Sequence, residues 1–302
     1  MVSPLTITFP YMGETYALVT ALVWAFAVIL FKKSGESFHP IALNLFKNTL
    51  ALVLLVPTMY ILGETICRDA PAAEYALLLV SGALGIGISD TLFFKSLNLL
   101  GAGLSAIVDC LYAPFIIGMS MIWLDEQLSI WQFVGVAMIV SAVLTATSKD
   151  YSGKLRRRDL WWGIFFGVAS MAANGVGIVI VKPLLGRAPL LWVCFFRLIG
   201  GMAVLGLVVL FHSGRREILK TLAVRKGWKY AIPGAFLGTY VSLLLWLAGM
   251  KFTQASIASA LNQTSNIFVF VFAALFLREP INRQRTIGIV LGVAGALLVT
   301  FV

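Results

Sequence analysis

The stretch Trp123-Leu-Asp-Glu-Gln-Leu128 returns later in the chain as Phe276-Leu-Arg-Glu-Pro-Ile281. In both stretches a glutamate, Glu126 or Glu279, follows a long apolar run and precedes a glycine by nine residues. The two glutamates lie 153 positions apart, which is about half of the 302-residue chain. A match at this separation predicts that the chain consists of two copies of one folding unit.

The composition around these stretches is that of a membrane protein. Hydrophobic residues make up 60% of the chain and charged residues only 12%, and the mean hydropathy is +0.95. A soluble domain carries about 25% charged residues, and a membrane-spanning helix needs roughly 20 apolar ones. We therefore predict an all-α membrane protein with ten transmembrane helices. The predicted spans cover residues 14–31, 41–62, 75–98, 102–124, 129–147, 161–181, 190–211, 228–250, 254–277 and 284–302.

The two copies are predicted to be five-helix repeats. Residues 14–148 hold spans 1–5 and residues 160–302 hold spans 6–10, and a polar, basic linker joins them. A shift of 150 residues aligns Lys47 with Arg197, and a shift of 153 aligns Asp109 with Asn262. Because five is an odd number of spans, the repeats are expected to sit inverted to each other in the bilayer.

The basic residues predict the orientation of the chain. Loops that follow odd-numbered spans hold sixteen Lys and Arg residues, and loops that follow even-numbered spans hold four. The positive-inside rule then places the odd loops in the cytosol and both termini outside the plasma (inner) membrane. The net charge of +10 is explained by this bias, and the absence of a separate basic domain argues against nucleic acid as a partner.

Further motifs recur along the whole chain. They are Trp24 in span 1, Phe46-Lys47 and Phe196-Arg197 in spans 2 and 7, the small-residue segment Gly82–Asp90, the two glutamate stretches, and the ending Gly292–Leu298. Together these motifs resemble the EamA-type branch of the drug/metabolite transporter (DMT) superfamily. The resemblance implies a ten-span, two-repeat secondary carrier that moves small organic metabolites such as amino acids or amines, often as an exporter.

Two acidic residues lie inside predicted spans. Asp90 precedes the hairpin apex at Leu100 by ten residues and Asp109 follows it by nine, so both lie about 14 Å from the apex. An ionised Asp at the bilayer centre costs about 2.5–3.5 kcal/mol on insertion scales, so each side chain should face protein or water. One interpretation is a coupled carboxylate pair that retains a proton and drives transport. The other is that each Asp separately bonds a neighbour, such as Ser105 or Tyr112 near Asp109.

The second repeat carries amides where the first carries acids. Asn262 and Asn266 lie one helical turn apart in span 9, and Asn174 lies in span 6. Amides at these positions are candidates for substrate contact or for hydrogen bonds that join helices. Lys47 is a candidate counter-ion for Asp90 or Asp109, and snorkelling of Lys47 and Arg197 to the interface is the alternative.

Several aromatic residues in mid-span complete the candidate site. Trp24, Tyr112, Tyr240 and Trp246 adjoin small or polar residues and are candidates for stacking on a cation or planar metabolite, with core packing as the alternative. Pro114 is expected to interrupt span 4 five residues after Asp109.

Other classes of protein and of site are not indicated by the sequence. No His lies within a span, and no metal-binding, cofactor-binding, nucleotide-binding or hydrolase motif is present, so we expect neither an enzyme nor a cofactor nor a metal site. The predicted partners are a small-molecule substrate and the lipid bilayer, with proton coupling left open and the chain acting as a monomer or a homodimer. A flippase-like carrier of a lipid-linked or amphipathic substrate is the alternative function.

Overall fold

The computed structural model describes residues 11–124, 129–146, 156–253, 258 and 261–301, and all regular secondary structure within them is helical. Within these residues, six helices are long and apolar enough to cross a membrane, namely Met12–Gly35, Pro40–Ile61, Ala72–Leu100, Arg157–Val179, Leu190–Phe211 and Arg225–Phe252. They confirm six of the predicted apolar segments. Shorter apolar helices cover Ala102–Ile116, Phe133–Thr145 and Leu261–Leu277.

The individual helices are numbered along the chain. The first half contains α1 (Met12–Gly35), α2 (Pro40–Ile61), α3 (Ala72–Gly82), α4 (Ser89–Leu100), α5 (Ala102–Asp109), α6 (Tyr112–Leu124) and α7 (Ile130–Ala146). The second half contains α8 (Arg157–Val179), α9 (Lys182–Arg187), α10 (Leu190–Phe211), α11 (Arg215–Lys220), α12 (Arg225–Ala235), α13 (Ser242–Phe252), α14 (Ser265–Leu277) and α15 (Arg283–Phe301).

Two of the long helices carry a π-helical segment at matching positions. Segment π1 (Ala83–Ile88) joins α3 to α4, and segment π2 (Phe236–Val241) joins α12 to α13. The two segments begin 153 residues apart, which is the same shift that aligns the two glutamates. A π segment widens a helix and turns the residues that follow it, and such segments are frequent at functional sites. The shared position shows that the halves resemble each other in backbone as well as in sequence.

The fourth predicted span is broken earlier than expected. α5 ends at Asp109 and α6 begins at Tyr112, with a tight turn between them in which the Cys110 amide donates to the Ile107 carbonyl at 3.3 Å. The prediction that Pro114 makes the break is wrong, because Pro114 is the third residue of α6. The first turn of a helix has amides without an intrahelical acceptor, so proline removes no hydrogen bond there.

α3 and α10 approach each other at small residues. A Cβ atom on Gly82 would overlap the carbonyl oxygen of Arg197, and one on Gly200 would overlap the carbonyl oxygen of Leu79. Small residues allow this close approach of two backbones within a membrane protein. The contact fixes the α10 backbone beside π1 and so positions the Arg197 side chain.

α7 packs along α15 through equally small residues. A Cβ atom on Gly295 would lie 2.7 Å from the carbonyl oxygen of Gly135, and Ile139 and Ala296 are fully buried beside it. Gly292, one turn earlier in α15, faces the Cys110 sulfur in the break between α5 and α6. The packed pair of α7 and α15 therefore supports the break between α5 and α6.

Candidate functional site

A cavity of about 150 Å³ lies between the two halves of the chain. Its walls come from α1, α2, π1 and α4, the break between α5 and α6, and their counterparts in the second half. Of the 24 described residues that line it, twenty form ten pairs at the shift of 150 or 153 residues. These pairs are Thr20 with Ser170, Trp24 with Asn174, Lys47 with Arg197, Gly85 with Gly238, Ile86 with Thr239, Ser89 with Ser242, Asp90 with Leu243, Phe93 with Trp246, Asp109 with Asn262, and Tyr112 with Ser265.

Lys47 and Asp90 form an ion pair on one wall of this cavity. The Lys47 ammonium lies 2.6 Å from Asp90 Oδ2 and also donates to Asn48 Oδ1 at 3.1 Å. The ammonium lies 5.8 Å from the centre of the Phe94 ring. Only 5% of the Lys47 side chain and 19% of the Asp90 side chain are exposed, so Lys47 points inward and does not snorkel. The geometry is that of the predicted counter-ion.

An amide network ties this ion pair to π1. Asn48 donates to Asn44 Oδ1 at 2.9 Å, and the Asn44 amide donates to the carbonyl oxygens of Ile86 and Gly87 and to the Thr91 hydroxyl at 2.9–3.2 Å. A π segment leaves carbonyl groups poorly placed for bonds within its own helix. Asn44 stabilises the segment because it supplies the missing donor.

Arg197 lies on another wall of the cavity and has no acidic partner there among the described residues. Its side chain is 1% exposed, so the interpretation that it snorkels to the interface is wrong. The guanidinium lies 5.7 Å from the centre of the Trp246 ring, while Nε and Nη1 make no hydrogen bond to any described residue. Sequence reasoning missed this site residue because a sequence gives the depth of a side chain but not the face of the helix.

Asp109 also lines the cavity, at the C-terminus of α5. It makes no hydrogen bond or ion pair with the residues that the structure describes, and the hydroxyl groups of Ser105 and Tyr112 are likewise buried without a partner. The interpretation that Asp109 bonds Ser105 or Tyr112 is therefore wrong. Asp90 and Asp109 border one cavity, but only Asp90 is held by a cation.

The predicted amides separate into two groups. Gln263, the residue after Asn262, donates to the Cys110 carbonyl at 3.3 Å and so satisfies the backbone at the break, while Asn266 donates to Gln263 Oε1 at 2.9 Å and to the Cys110 sulfur at 3.5 Å. Asn262 and Asn174 line the cavity, and Asn262 Oδ1 is buried without a partner among the described residues. Asn266 thus joins helices as well as lining the cavity, while Asn262 keeps an acceptor for another group.

The predicted aromatic residues also differ in position. Trp24 lines the cavity, and its ring centroid lies 5.8 Å from that of Phe93. Tyr112 lines the cavity as well. Tyr240 lies outside it, because its hydroxyl bonds Thr58 and its ring packs against Phe236 at 5.8 Å.

The glutamate of the second sequence copy is structural. Glu279 accepts from the amides of Ala102 and Gly103 at 2.8 and 3.0 Å and so caps the N-terminus of α5. Arg285 lies 3.5 Å from the same carboxylate. Glu126 lies outside the described residues.

The sequence contained a signal that would have found four further lining residues. Ser89, Ser242, Thr20 and Ser170 have polar counterparts at the repeat shift, although no one of them stands out alone. Ser89 and Ser170 donate reciprocally to each other's carbonyl oxygens at 3.0 and 2.9 Å. Polar residues that recur at the repeat shift inside apolar spans therefore predict the wall of the cavity.

Across the stretches that the structure describes, no cluster of three His, Cys, Asp or Glu side chains could hold a metal ion. The three cysteines are free: Cys67 is exposed, and Cys110 and Cys194 are buried. The polar chemistry of the cavity thus comes from carboxylates, amides, hydroxyl groups and two cations.

Comparisons with known proteins agree with this architecture. An "Uncharacterized transporter" of Archaeoglobus fulgidus is 22% identical over 287 residues, which cover 93% of this chain and 95% of the relative. An "Uncharacterized transporter" of Methanothermobacter thermautotrophicus is 23% identical and covers 94% of this chain and 83% of its own length. A protein of known crystal structure shares the fold with a TM-score of 0.70 at 17% identity, over 95% of this chain and 96% of that protein.

The family comparison covers nearly the whole chain in two segments. The family model of the EamA-like transporter family matches residues 11–148 and again residues 161–301. Together with the long apolar helices in the described part of the chain and the named relatives, this match identifies a multi-pass membrane protein of a transporter family. The chain belongs to the EamA-like transporter family.

Proposed function

We propose that this chain is a secondary transporter that moves a small organic metabolite, such as an amino acid or an amine, across the plasma (inner) membrane by alternating access. The observation that carries the proposal is the cavity, whose lining residues come in pairs from the two halves. In inverted-repeat transporters the substrate lies at the interface of the repeats, and rocking of one unit against the other exposes it to each side. Residues 14–148 and 160–302 would be those units, each with five spans.

The size of the cavity supports a small solute. A volume of about 150 Å³ is close to that of an engineered protein cavity that binds benzene. A lipid-linked substrate is much larger, so this volume favours transport of small solutes over the flippase-like alternative. Because one chain supplies every wall of the cavity, a monomer suffices, and a homodimer would pair two such units.

The arrangement of the two acids supports proton coupling at Asp109. Asp90 is held by Lys47 at 2.6 Å, whereas Asp109 faces the same cavity without a partner among the described residues. A free carboxyl group at a substrate cavity can take up a proton on one side of the membrane and release it on the other. Substrate would then contact Asn262, Asn174, Trp24 and Tyr112.

The proposed function is tested by a panel of radiolabelled amino acids, amines and organic acids in reconstituted vesicles, with and without a pH gradient. We expect saturable uptake of at least one solute and faster uptake with the gradient. Asp109→Asn should keep uptake down a solute gradient and lose the response to pH. Unchanged pH dependence in Asp109→Asn removes Asp109 from the coupling mechanism, and no saturable movement of any solute rejects the transporter proposal.

The proposed orientation is testable with the protein's own cysteines. Cys67 is exposed in the loop after α2, which the charge bias places outside, while Cys110 and Cys194 are buried. A membrane-impermeant maleimide added to intact cells should therefore label the protein, and Cys67→Ser should abolish the labelling. Labelling only after the membrane is opened would reverse the orientation.

A further inference from the structure

We propose that Arg197 binds an anionic group of the transported solute, so that this carrier selects small organic carboxylates. The inference rests on the proposed function and adds the residue and the chemical class of ligand that it recognises. Its basis is a guanidinium that is 1% exposed, lines the cavity, and has two nitrogen atoms without a hydrogen-bond partner in the described residues.

A buried guanidinium without an anion is costly for the protein to keep. Arginine stays charged at all physiological pH values, and the effective cost of burying an unpaired ion is several kcal/mol. The Trp246 ring at 5.7 Å offsets only part of this cost, since a desolvated cation–π contact contributes about 2 kcal/mol. Charged residues within membrane spans usually serve function, and neither Asp90, which pairs with Lys47, nor Asp109 lies within ion-pair distance of this cation.

The two halves differ at the position that would neutralise Arg197. In the first half Lys47 is paired with Asp90 at 2.6 Å, and the position equivalent to Asp90 in the second half is Leu243. Both Arg197 and Leu243 line the cavity, and no described carboxylate lies within ion-pair distance of Arg197. The second half thus presents a positive site that a ligand carboxylate would complete, because the guanidinium fork matches a carboxylate with two parallel hydrogen bonds.

Neighbouring groups define the rest of the ligand. Asn262 Oδ1 and Thr239 Oγ1 also line the cavity and are buried without partners among the described residues. Each can accept a hydrogen bond, so the geometry fits a carboxylate that carries a second, hydrogen-bond-donating group. The volume of about 150 Å³ limits such a ligand to about the size of benzoate.

The test is equilibrium binding to purified protein in lipid nanodiscs, measured by ligand-dependent thermal stabilisation. The probes are lactate and benzoate, each compared with its neutral amide, lactamide or benzamide. We expect at least one carboxylate to bind the wild-type protein about tenfold or more tightly than its amide. Leu243→Asp gives Arg197 an internal counter-ion and should reduce this preference about tenfold, whereas Leu243→Asn, of matched size, should keep it.

Variants of Arg197 itself provide a second readout. Arg197→Gln should lose the preference for carboxylates, and Arg197→Lys should retain part of it. If Arg197→Gln fails to fold, the two Leu243 variants decide the question alone. The proposal is overturned if neither carboxylate binds more tightly than its amide, or if Leu243→Asp and Leu243→Asn behave alike.

Binding and transport can fail separately. If the protein moves no solute in vesicles but prefers carboxylates, and this preference changes in the Leu243 and Arg197 variants, the anion site is supported and the transporter proposal is rejected. Saturable transport by a protein that does not distinguish carboxylates from amides does the reverse.

Discussion

The two halves of this chain line one cavity with residues at equivalent positions, but they differ in whether the cation at the cavity is paired with an acid. In the first half Lys47 is neutralised by Asp90 at 2.6 Å. In the second half the equivalent residues are Arg197 and Leu243, and no described acid lies within ion-pair distance of Arg197. A duplicated scaffold can therefore pair the cation of one copy internally and leave the equivalent cation of the other copy available to a ligand.

The π segments show the same division. Asn44 satisfies the carbonyl groups of π1, and the equivalent residue in α10 is Cys194, which offers no comparable donor. Thr239 within π2 is buried with its hydroxyl group unpaired among the described residues. The carbonyl groups of π1 are thus bonded by a residue of the same half, whereas π2 leaves a hydroxyl group without a described partner at the cavity.

The largest expected effect on stability comes from replacing Asp90 with leucine, the residue at the equivalent position 243 of the second half. Asp90→Leu leaves the Lys47 ammonium buried without an acidic partner, and removing one member of a buried ion pair costs about 3–5 kcal/mol. Thermal and chemical unfolding in detergent would measure the loss. The double variant Lys47→Met/Asp90→Leu should recover most of it, because both charges are gone. Equal stability of the single and double variants would show that the pair is not coupled.

A glycine at the contact between α3 and α10 should have the next largest effect. Gly82 aligns with Ala235 at the 153-residue shift, yet a Cβ atom at Gly82 would overlap the Arg197 carbonyl oxygen. Gly82→Ala should cost about 1–3 kcal/mol by overpacking and should also weaken ligand binding, since it displaces Arg197.

The matched control for this variant is Gly206→Ala. Gly206 lies inside α10, and a Cβ atom added there would meet no described atom within 4 Å, so this change should stabilise the helix by about 0.5–1 kcal/mol. Unfolding midpoints of the two variants should therefore move in opposite directions. A Gly82→Ala protein as stable as Gly206→Ala would contradict the close approach of α3 and α10.

The repeated glutamates should have a smaller effect. Glu279→Ala removes two hydrogen bonds, at 2.8 and 3.0 Å, from the amides at the start of α5 and should cost about 1–2 kcal/mol. Glu279→Gln retains one acceptor oxygen and should lose less. The sequence match predicts a similar cost for Glu126→Ala, although that residue lies outside the described part of the chain. Unfolding midpoints that leave Glu279→Ala at the wild-type value would reject the capping role.

Sequence patterns predicted which residues lie deep in the spans, because the length of each apolar run and the positions of charged residues can be read directly from the sequence. They also offered Lys47 as a candidate counter-ion for Asp90 or Asp109, with snorkelling as the alternative, and the structure pairs Lys47 with Asp90. They did not predict that Arg197 faces the cavity or that Tyr240 faces away from it. Depth follows from counting residues, whereas the direction of a side chain depends on how each helix is rotated.

The π segments explain why rotation could not be extrapolated. One extra residue per turn rotates everything that follows, so a 3.6-residue period cannot be carried from α3 into α4 or from α12 into α13. The break after Asp109 has the same consequence for Tyr112 and the rest of α6. The family match gives the class of protein, but it does not give the direction in which any of these side chains points.

The smallest expected effect is a difference in how pH changes the stability that the caps of α2 and α10 provide. His39 Nδ1 accepts from the Ile41 amide at 3.3 Å at the start of α2, and Glu64 accepts from the Trp192 amide at 3.3 Å near the start of α10. Burial, helped by the charge of Lys95 and by His212, lowers the pKa of His39 below 6.5. Burial raises the pKa of Glu64 above 4.5, and the Trp192 amide opposes that rise only in part.

These shifts predict opposite pH dependences for the two caps. As pH falls through 6.5, the unfolded chain binds a proton at His39 before the native protein does, so wild type should lose stability relative to His39→Asn, which keeps a cap acceptor. As pH rises through 4.5, the native protein retains a proton at Glu64 that the unfolded chain releases, so wild type should lose stability relative to Glu64→Gln. Unfolding midpoints between pH 4 and pH 8 should therefore differ by a few degrees at most, on the order of 1 kcal/mol or less. If the unfolding midpoints of the two variants change in parallel with pH relative to wild type, the predicted opposite contributions of His39 and Glu64 are wrong.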